Sequence, residues 1–343
     1  MKKINIGIVG CGYIAEEAHI PNFLGSAKVG KVAIADVNKE RLSLMATKFG
    51  IKERYANYDE MLKDPTIDGV SICVPPFLHS EVGTKAAEAG KHILCEKPIS
   101  TSLSDADKLI ESAKKNNVKL MIGHNIRFLP NHDLVKKWVT QEKIGKSTFV
   151  RAQAALQGPY GTPGLASSFY FDPNRGGGVL LDVGIHLADL LLWIFGDVAQ
   201  VRGSSGTYRP DINKANDVAS VSLKFESGVI GELFVSWVGI SNWHLMTNFN
   251  DLQVLGEFGF IRSDFYGPFV SLFNEKSLVC KLKGPLRMAT MHTDPKIPFL
   301  AKNYAYKKEI DSFIDCVLKD ESPPVTGEDG RRALKLILDS EQC

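Results

Sequence analysis

The stretch "GIVGCGYIAEEAH", residues 7–19, decides the fold. It continues from an apolar run and places Gly10, Gly12 and Ala15 in the spacing Gly-x-Gly-x-x-Ala, after which the sequence continues at the period of a helix. The two glycines permit a tight turn and the close approach of a diphosphate, and Ala15 lets the helix pack on the strand. The stretch therefore predicts a strand, turn and helix that bind a nucleotide.

A carboxylate ends the second apolar run, "KVAIAD" (31–36). Asp36 stands about 20 residues beyond the glycine turn, where it is expected to accept the hydroxyls of an adenosine ribose. Because a carboxylate repels a 2′-phosphate, the sequence favours NAD over NADP. Arg41, on the next helix, either softens this preference or lies on the helix surface.

Apolar runs alternate with helix-period segments through the first part of the chain, which is the pattern of a doubly wound α/β domain with a parallel sheet. Residues 1–123 are predicted to form this Rossmann domain. Residues 124–343 are predicted to form an α+β domain for substrate binding and oligomerisation. Its longer strand-like runs, with a hairpin turn at "ESG" (226–228), indicate an open and largely antiparallel sheet. The predicted strands of the first domain are 4–9, 31–36, 68–74, 91–95 and 118–123.

Composition restricts the class of partner. The chain has 343 residues and a formal net charge of +2, without long charged blocks, so neither a nucleic-acid surface nor a membrane surface is expected. Six scattered cysteines without a C-x-x-C pattern favour a reducing cytosol and predict no metal site. The amino-terminal apolar stretch is broken by glycines and lacks the features of a signal peptide, and no uninterrupted apolar run reaches ~18 residues. We therefore expect a cytoplasmic protein.

Two further strand ends, "CVPPFLHSEV" (73–82) and "HILCEKPIS" (92–100), lie where ligands of such folds bind, at the carboxyl edge of the sheet. The first is expected to form a wall of the cofactor cleft, and the second its floor. The predicted cofactor-binding residues are Gly10, Gly12, Tyr13, Ile14, Ala15, Asp36, Val74, Pro75, Pro76, His79, Glu96, Lys97 and Pro98.

These motifs, together with "GGGVLLDVGIHLADLLLWIFG" (176–196), resemble the family of glucose-fructose oxidoreductase, inositol dehydrogenase and MocA. The resemblance extends from the amino terminus to the closing helix. It implies hydride transfer between a nicotinamide and a sugar, cyclitol or sugar derivative. It also implies that Lys97 lies beside the nicotinamide and touches the substrate hydroxyl, and that the Lys97–Pro98 peptide is cis.

The helix that begins near residue 179 supports a catalytic site independently of the resemblance. Asp182 and His186 are neighbours at i and i+4, and three glycines precede them. Histidine titrates near the working pH, so His186 is the first choice for the base that takes the hydroxyl proton. Asp182 would hold or polarise it, and Lys97 would stabilise the developing alkoxide. Lys97 as the base is the open alternative.

Three more residues are predicted on the substrate side. Asn125 and Arg127 follow the last Rossmann strand, and Arg127 would either bind substrate or simply join the domains. Tyr170 lies in the aromatic loop 157–175, which has the length and composition of a lid.

Two alternative functions stay open for this chain. One is an NAD-dependent glycoside hydrolase on the same scaffold, and the other is a nucleotide-binding sensor without turnover. A homodimer or homotetramer through the second sheet is expected, because a sheet covered by helices on one side must bury its other face.

Overall fold

A computed structural model describes residues 3–161, 169–238, 250–265, 269–276, 290–293 and 301–341. The chain divides into two compact units. The first consists of residues 1–125 and 306–334, and the second of residues 126–305 and 335–343.

The bounds of the secondary structure, in chain order, are as follows. The strands are β1 Ile4–Val9, β2 Val29–Ala35, β3 Arg54–Tyr55, β4 Gly69–Ile72, β5 His92–Glu96, β6 Leu120–Gly123, β7 Ser147–Ala155, β8 Val198–Gly206, β9 Val218–Phe225, β10 Ile230–Ser236, β11 Asn250–Gly256, β12 Gly259–Asp264, β13 Phe269–Asn274 and β14 Thr290–Thr293. The α-helices are α1 Ile20–Leu24, α2 Lys39–Phe49, α3 Tyr58–Leu62, α4 His79–Glu88, α5 Leu103–Lys115, α6 Pro130–Thr140, α7 Ile185–Phe195, α8 Ala301–Lys319 and α9 Gly327–Glu341. Wider π-helical turns cover Ala15–His19 and Leu180–Gly184.

The first unit is built on a sheet of six parallel strands in the order β3-β2-β1-β4-β5-β6. This confirms the predicted doubly wound fold; only the two-residue strand β3 was not anticipated. The apolar runs are buried because helices cover both faces of such a sheet, and Ile6 and Ile8 of β1 are fully buried. Parallel strands all end at one edge, so the segments that follow β1, β4 and β5 lie side by side.

The outer edge of β6 does not remain unpaired. The backbone N–H of Ile122 donates to the carbonyl of Val325 at 3.1 Å, and Met121 forms an isolated antiparallel bridge with Thr326. The segment between α8 and α9 therefore covers this edge of the parallel sheet, which would otherwise be open to pairing with another strand.

The second unit contains an eight-stranded mixed sheet in the order β14-β13-β12-β11-β7-β10-β9-β8. Strands β7 and β10 run parallel, and the other neighbouring pairs are antiparallel. The predicted hairpin is confirmed between β9 and β10, where Gly228 has a φ of +88° that favours glycine. The open, largely antiparallel sheet expected from the sequence is thus present.

Helices α6 and α7 cover one face of this sheet, α6 against β12 and β13 and α7 against β7. Leu233, Leu252 and Val254 point to the covered face and are buried. The helical stretch Pro173–Phe195 has the length and composition to cross a membrane, but 78% of its most apolar window is buried in the protein. It therefore has the burial expected of the core helix of a globular domain.

Candidate active site

The two glycines of the turn after β1 have different surroundings. Gly10 has a φ of +92°, and a Cβ built on it would lie 2.7 Å from the carbonyl oxygen of Cys73. Gly12 has no protein atom within 4 Å of the corresponding position. Gly10 is therefore required by the fold, whereas the space beside Gly12 is open to a ligand, as the approach of a diphosphate requires. Ala15 is fully buried, as the packing of this segment on β1 requires.

Asp36 is held at the end of β2 by two backbone donors. The N–H of Cys11 donates to Oδ2 at 2.7 Å and the N–H of Asn38 to Oδ1 at 2.8 Å. Each carboxylate oxygen retains a lone pair that can accept a ribose hydroxyl. Arg41 donates through Nε to the carbonyl of Cys11 at 2.6 Å, and its guanidinium also pairs with Glu16. The arginine is thus engaged beside the glycine turn.

The turn after β4 is tied to the turn after β5 by His79. Its Nδ1 lies 2.7 Å from the carbonyl oxygen of Pro98, and its Nε2 lies 2.8 Å from that of Val74. The ring is buried, and burial lowers its pKa. The neutral ring has one N–H, so it lies between the two main-chain carbonyls and donates to one of them. Pro75 is half-buried and Pro76 is buried. Of the remaining predicted cofactor residues, Tyr13 is exposed and Ile14 half-buried.

Glu96 is the last residue of β5, and its carboxylate has two partners. Oε2 accepts the backbone N–H of Lys97 at 3.2 Å, and Oε1 lies 2.8 Å from Nε2 of His19. The Lys97–Pro98 peptide is cis, which confirms the sequence prediction. The Lys97 side chain is half-buried, at the same sheet edge as the glycine turn.

His19 is a residue that sequence reasoning missed. It lies in the π-helical turn after the glycine loop and is fully buried; its Nδ1 lies 2.7 Å from Oγ of Ser71 on β4. The sequence shows a histidine in the helical segment after the glycine turn, but no motif assigns it a role. Its partners are 52 and 77 residues away, so spacing alone could not have assigned them.

In the second unit, Arg127 is paired with a carboxylate. Its Nε donates to Oδ2 of Asp189 at 2.6 Å, and its NH2 group donates to Oδ1 at 2.5 Å. The side chains are 6% and 0% exposed, so this bidentate pair is buried. The guanidinium also lies 5.7 Å from the ring centre of Trp193 on α7. Arg127 thus fixes the helix that carries His186. Asn125, at the end of the first segment of the other unit, is buried.

The segment that carries Asp182 and His186 is not one regular α-helix. Asp182 lies in the π-helical turn Leu180–Gly184 and is half-buried, whereas His186 lies in the first turn of α7 and is buried. π-helical turns occur often at functional sites. The glycines before them pack closely on the protein itself, since a Cβ on Gly177 would lie 2.5 Å from the carbonyl oxygens of Phe169 and Tyr170.

Tyr170 belongs to an aromatic cluster. Its ring centre lies 4.0 Å from that of Phe169 and 6.3 Å from that of Trp237, and Trp237 also contacts Tyr160 and Phe171. Residues 162–168 of the loop expected to act as a lid lie outside the described residues. Within the part of the chain that the structure describes, no group of three or more histidine, cysteine or carboxylate side chains could hold a metal ion.

Two family models match the chain. Residues 4–124 match a family described as "Oxidoreductase family, NAD-binding Rossmann fold", and residues 132–262 match the "GFO/IDH/MocA C-terminal domain". The myo-inositol 2-dehydrogenase of Thermotoga maritima is 31% identical over 97% of this chain and 94% of its own length.

Two solved structures have the same fold. A probable dehydrogenase from Thermotoga maritima has a TM-score of 0.78 at 30% identity, covering 99% of this chain and 96% of its own. A levoglucosan dehydrogenase in complex with NADH and L-sorbose has a TM-score of 0.86 at 20% identity, with the same coverage.

Proposed function

The chain belongs to the Gfo/Idh/MocA family of oxidoreductases, with an NAD-binding Rossmann domain, and on this premise we propose that it transfers a hydride between a nicotinamide and a hydroxyl-bearing carbon of a sugar or cyclitol. The observation that carries the proposal is the Glu96-Lys97-Pro98 turn. It follows β5 at the same sheet edge as the open glycine turn after β1, so a cation is available beside a nucleotide cleft.

The residues of the first unit fit a dinucleotide. The open space beside Gly12 accommodates the diphosphate, and Asp36 has lone pairs for the adenosine ribose. We propose NAD rather than NADP, because Asp36 would repel a 2′-phosphate. The carbonyl of Cys11 and the carboxylate of Glu16 already engage Arg41, which supports the same choice.

The bound cofactor supplies the hydride acceptor for oxidation, or the donor for reduction. In the direction of oxidation, His186 accepts the hydroxyl proton of the substrate as a hydride leaves the carbon that bears this hydroxyl. Lys97 places its ammonium group on the alkoxide that develops, and Asp182 orients the imidazole or stabilises its charged form. Arg127 acts indirectly, by holding α7 through Asp189.

The substrate class rests on the relatives. The 31% identity over nearly the whole chain to a protein named myo-inositol 2-dehydrogenase supports a cyclitol or sugar. The decisive test incubates the purified protein with NAD⁺ and a panel of myo-inositol, other inositols, aldoses and anhydrosugars, and follows NADH by absorbance. Net NADH with at least one polyol is expected.

The alternatives give other results in the same assay. An NAD-dependent glycoside hydrolase would release the aglycone of a chromogenic glycoside without accumulating NADH. A sensor would bind NAD⁺, measured by calorimetry, and turn over nothing in the panel.

The residue assignments have their own test. Because His186 belongs to the second unit, His186→Asn is expected to lower kcat by about a hundredfold to ten-thousandfold while leaving the Kd for NAD⁺ within about threefold. Lys97→Met is expected to lower kcat as well. The matched control is His132→Asn, which alters a buried histidine that lies against the carbonyl and ring of Phe265. An unchanged kcat in His186→Asn would refute the assignment of the base.

We also propose a dimer or tetramer through the uncovered face of the second sheet. Ile230, Leu255 and Phe260 are each 44–50% exposed on the face opposite the buried Leu233 and Val254. By light scattering, Leu255→Lys is expected to shift the protein towards the monomer. Leu44→Lys, at an equally exposed leucine on α2, is the control that leaves assembly unchanged; a monomeric wild type would refute the proposal.

A further inference from the structure

A chain of buried polar groups crosses the first unit behind the Glu96-Lys97-Pro98 turn. Ser71 Oγ lies 2.7 Å from Nδ1 of His19, His19 Nε2 lies 2.8 Å from Oε1 of Glu96, and Oε2 of Glu96 accepts the N–H of Lys97. Ser71 and His19 are fully buried and Glu96 is 6% exposed. Burying polar groups costs free energy. A buried chain of them between the cofactor loop and the proposed catalytic lysine therefore indicates a role for these residues.

The charge state of this chain follows from its geometry. Burial lowers the pKa of His19, but Cys73 and the Glu96 carboxylate outweigh it, and the net pKa is well above the ordinary 6.5. Burial raises the pKa of Glu96, but the hydrogen bond from His19 and the charges of His19 and Lys97 leave it below its usual range. Both directions are those expected of an imidazolium paired with a carboxylate.

The hydrogen bonds are consistent with that ion pair. An imidazolium donates from both nitrogens, to Ser71 Oγ and to Glu96 Oε1. The Ser71 hydroxyl hydrogen is then free to point at Cys73 Sγ, 3.6 Å away. Two aromatic rings also lie near His19: the ring centres of Phe23 and Tyr306 are 6.4 and 6.3 Å from that of the imidazole.

Gly123 leaves room for the Glu96 carboxyl group. A Cβ built on Gly123 of the neighbouring strand would lie 3.3 Å from the carboxyl carbon of Glu96. His19 holds one oxygen of the carboxylate and the Lys97 amide holds the other. Because His19 is part of the helical segment that begins after Gly12, the carboxylate joins that segment to the Lys97 main chain.

We propose that His19 is a positioning residue for Lys97, acting through Glu96, and that the pair links the cofactor loop to the lysine of the reaction. This inference rests on the proposed function. Its competitor is a purely structural role, in which the pair contributes to folding and nothing else.

The first test is the protonation state of His19. Selectively ¹³C-labelled histidine is titrated by NMR, and the His19 resonance is assigned by its loss in His19→Gln. The expected result is an imidazolium that persists above pH 6.5, while His132, whose burial lowers its pKa to about 4, stays neutral throughout and serves as the internal reference. A neutral His19 at pH 6.5 would overturn the inference.

The second test separates positioning from folding. His19→Gln is expected to lower kcat about tenfold to a hundredfold with myo-inositol, or with whichever polyol of the panel reduces NAD⁺, while the Kd for NAD⁺ stays within about threefold. The double variant His19→Gln/Glu96→Gln buries no charge, so it should regain thermal stability relative to His19→Gln. Turnover should not return with it. Joint recovery of stability and turnover would leave only the structural role and overturn the inference.

A third measurement does not depend on turnover. Limited acetylation of the unliganded protein, followed by peptide mass spectrometry, gives the relative reactivity of Lys97. We expect this reactivity to change at least threefold in His19→Gln and to remain unchanged in His132→Gln. If the wild type produces no NADH, the proposed dehydrogenase function fails, whereas an unchanged Lys97 reactivity contradicts the positioning role alone.

Discussion

Replacing Arg127 tests whether this residue binds substrate, one of the two roles that the sequence left open, or holds the catalytic helix in place, the role that its contacts indicate. In the structure its guanidinium makes two parallel hydrogen bonds, of 2.6 and 2.5 Å, to Asp189. Both side chains are almost fully buried. Arg127→Met therefore leaves an uncompensated carboxylate inside the second unit.

Removal of one partner from a buried ion pair costs about 3–5 kcal/mol. For a urea m value of about 2 kcal/mol/M, the unfolding midpoint of the second unit is then expected to fall by about 1.5–2.5 M. The double variant Arg127→Met/Asp189→Leu removes both charges, so most of this loss should be recovered. The cation–π contact with Trp193 adds a smaller contribution that neither variant restores.

Intrinsic fluorescence isolates this unit. All four tryptophans, at 138, 193, 237 and 243, fall within residues 126–305, so their emission reports on the second unit. The Kd for NAD⁺, a property of the first unit, should stay unchanged. An unaltered midpoint together with a raised KM for the polyol would refute the structural role and identify Arg127 as a substrate ligand.

Three other predictions concern the cofactor loop and a buried histidine. Asp36→Asn removes a negative charge that would repel a 2′-phosphate, a repulsion of about 1–2 kcal/mol at a half-buried site. The preference for NAD over NADP in kcat/KM should therefore fall about tenfold. An unchanged ratio of the two kcat/KM values would contradict the role of Asp36. Gly12→Ala should weaken NAD⁺ binding in calorimetry without changing the melting temperature, whereas Gly10→Ala should lower the melting temperature because its Cβ would strike a carbonyl. Burial lowers the pKa of His132 to about 4, so the unfolded chain binds the extra proton between pH 6.5 and 4. Urea titrations should show the free energy of unfolding decreasing as the pH is lowered from 6.5 to 4, by about 3 kcal/mol at most. In His132→Asn this decrease should be smaller.

Features that depend on local chemistry could be predicted from the sequence. Asn38 caps α2 by accepting the N–H of Arg41, and Gly50 ends it with a φ of +68°; both residue types are typical of these positions. The hairpin at Gly228 followed from the same kind of signal. The strand β3 has only two residues, Arg54 and Tyr55, too few for a periodic pattern.

Partnerships between distant residues could not be predicted. Asp189 is a charged residue on the largely apolar helix α7, and its partner Arg127 is 62 residues away in a 3₁₀ turn with no diagnostic spacing. A buried charge requires a partner, so an aspartate on such a helix indicates that one exists. Only the tertiary fold identifies it.

The two π-helical turns show where reasoning from helical period loses its accuracy. One contains His19 and the other contains Asp182. Each widens the helix by an extra residue per turn, so the side chains on either side no longer follow the 3.6-residue period from which faces are assigned. The 3.6-residue period holds from Ile185 onward, whereas Asp182 lies before α7 in the wide turn, so the i, i+4 relation to His186 crosses the irregularity. A π-helical turn has less favourable hydrogen bonding than a regular α-helix. Both π-helical turns carry side chains that the proposed chemistry uses. The irregularities are therefore better explained by function than by folding, which is the reason to test His19 alongside the residues that the motifs already indicated.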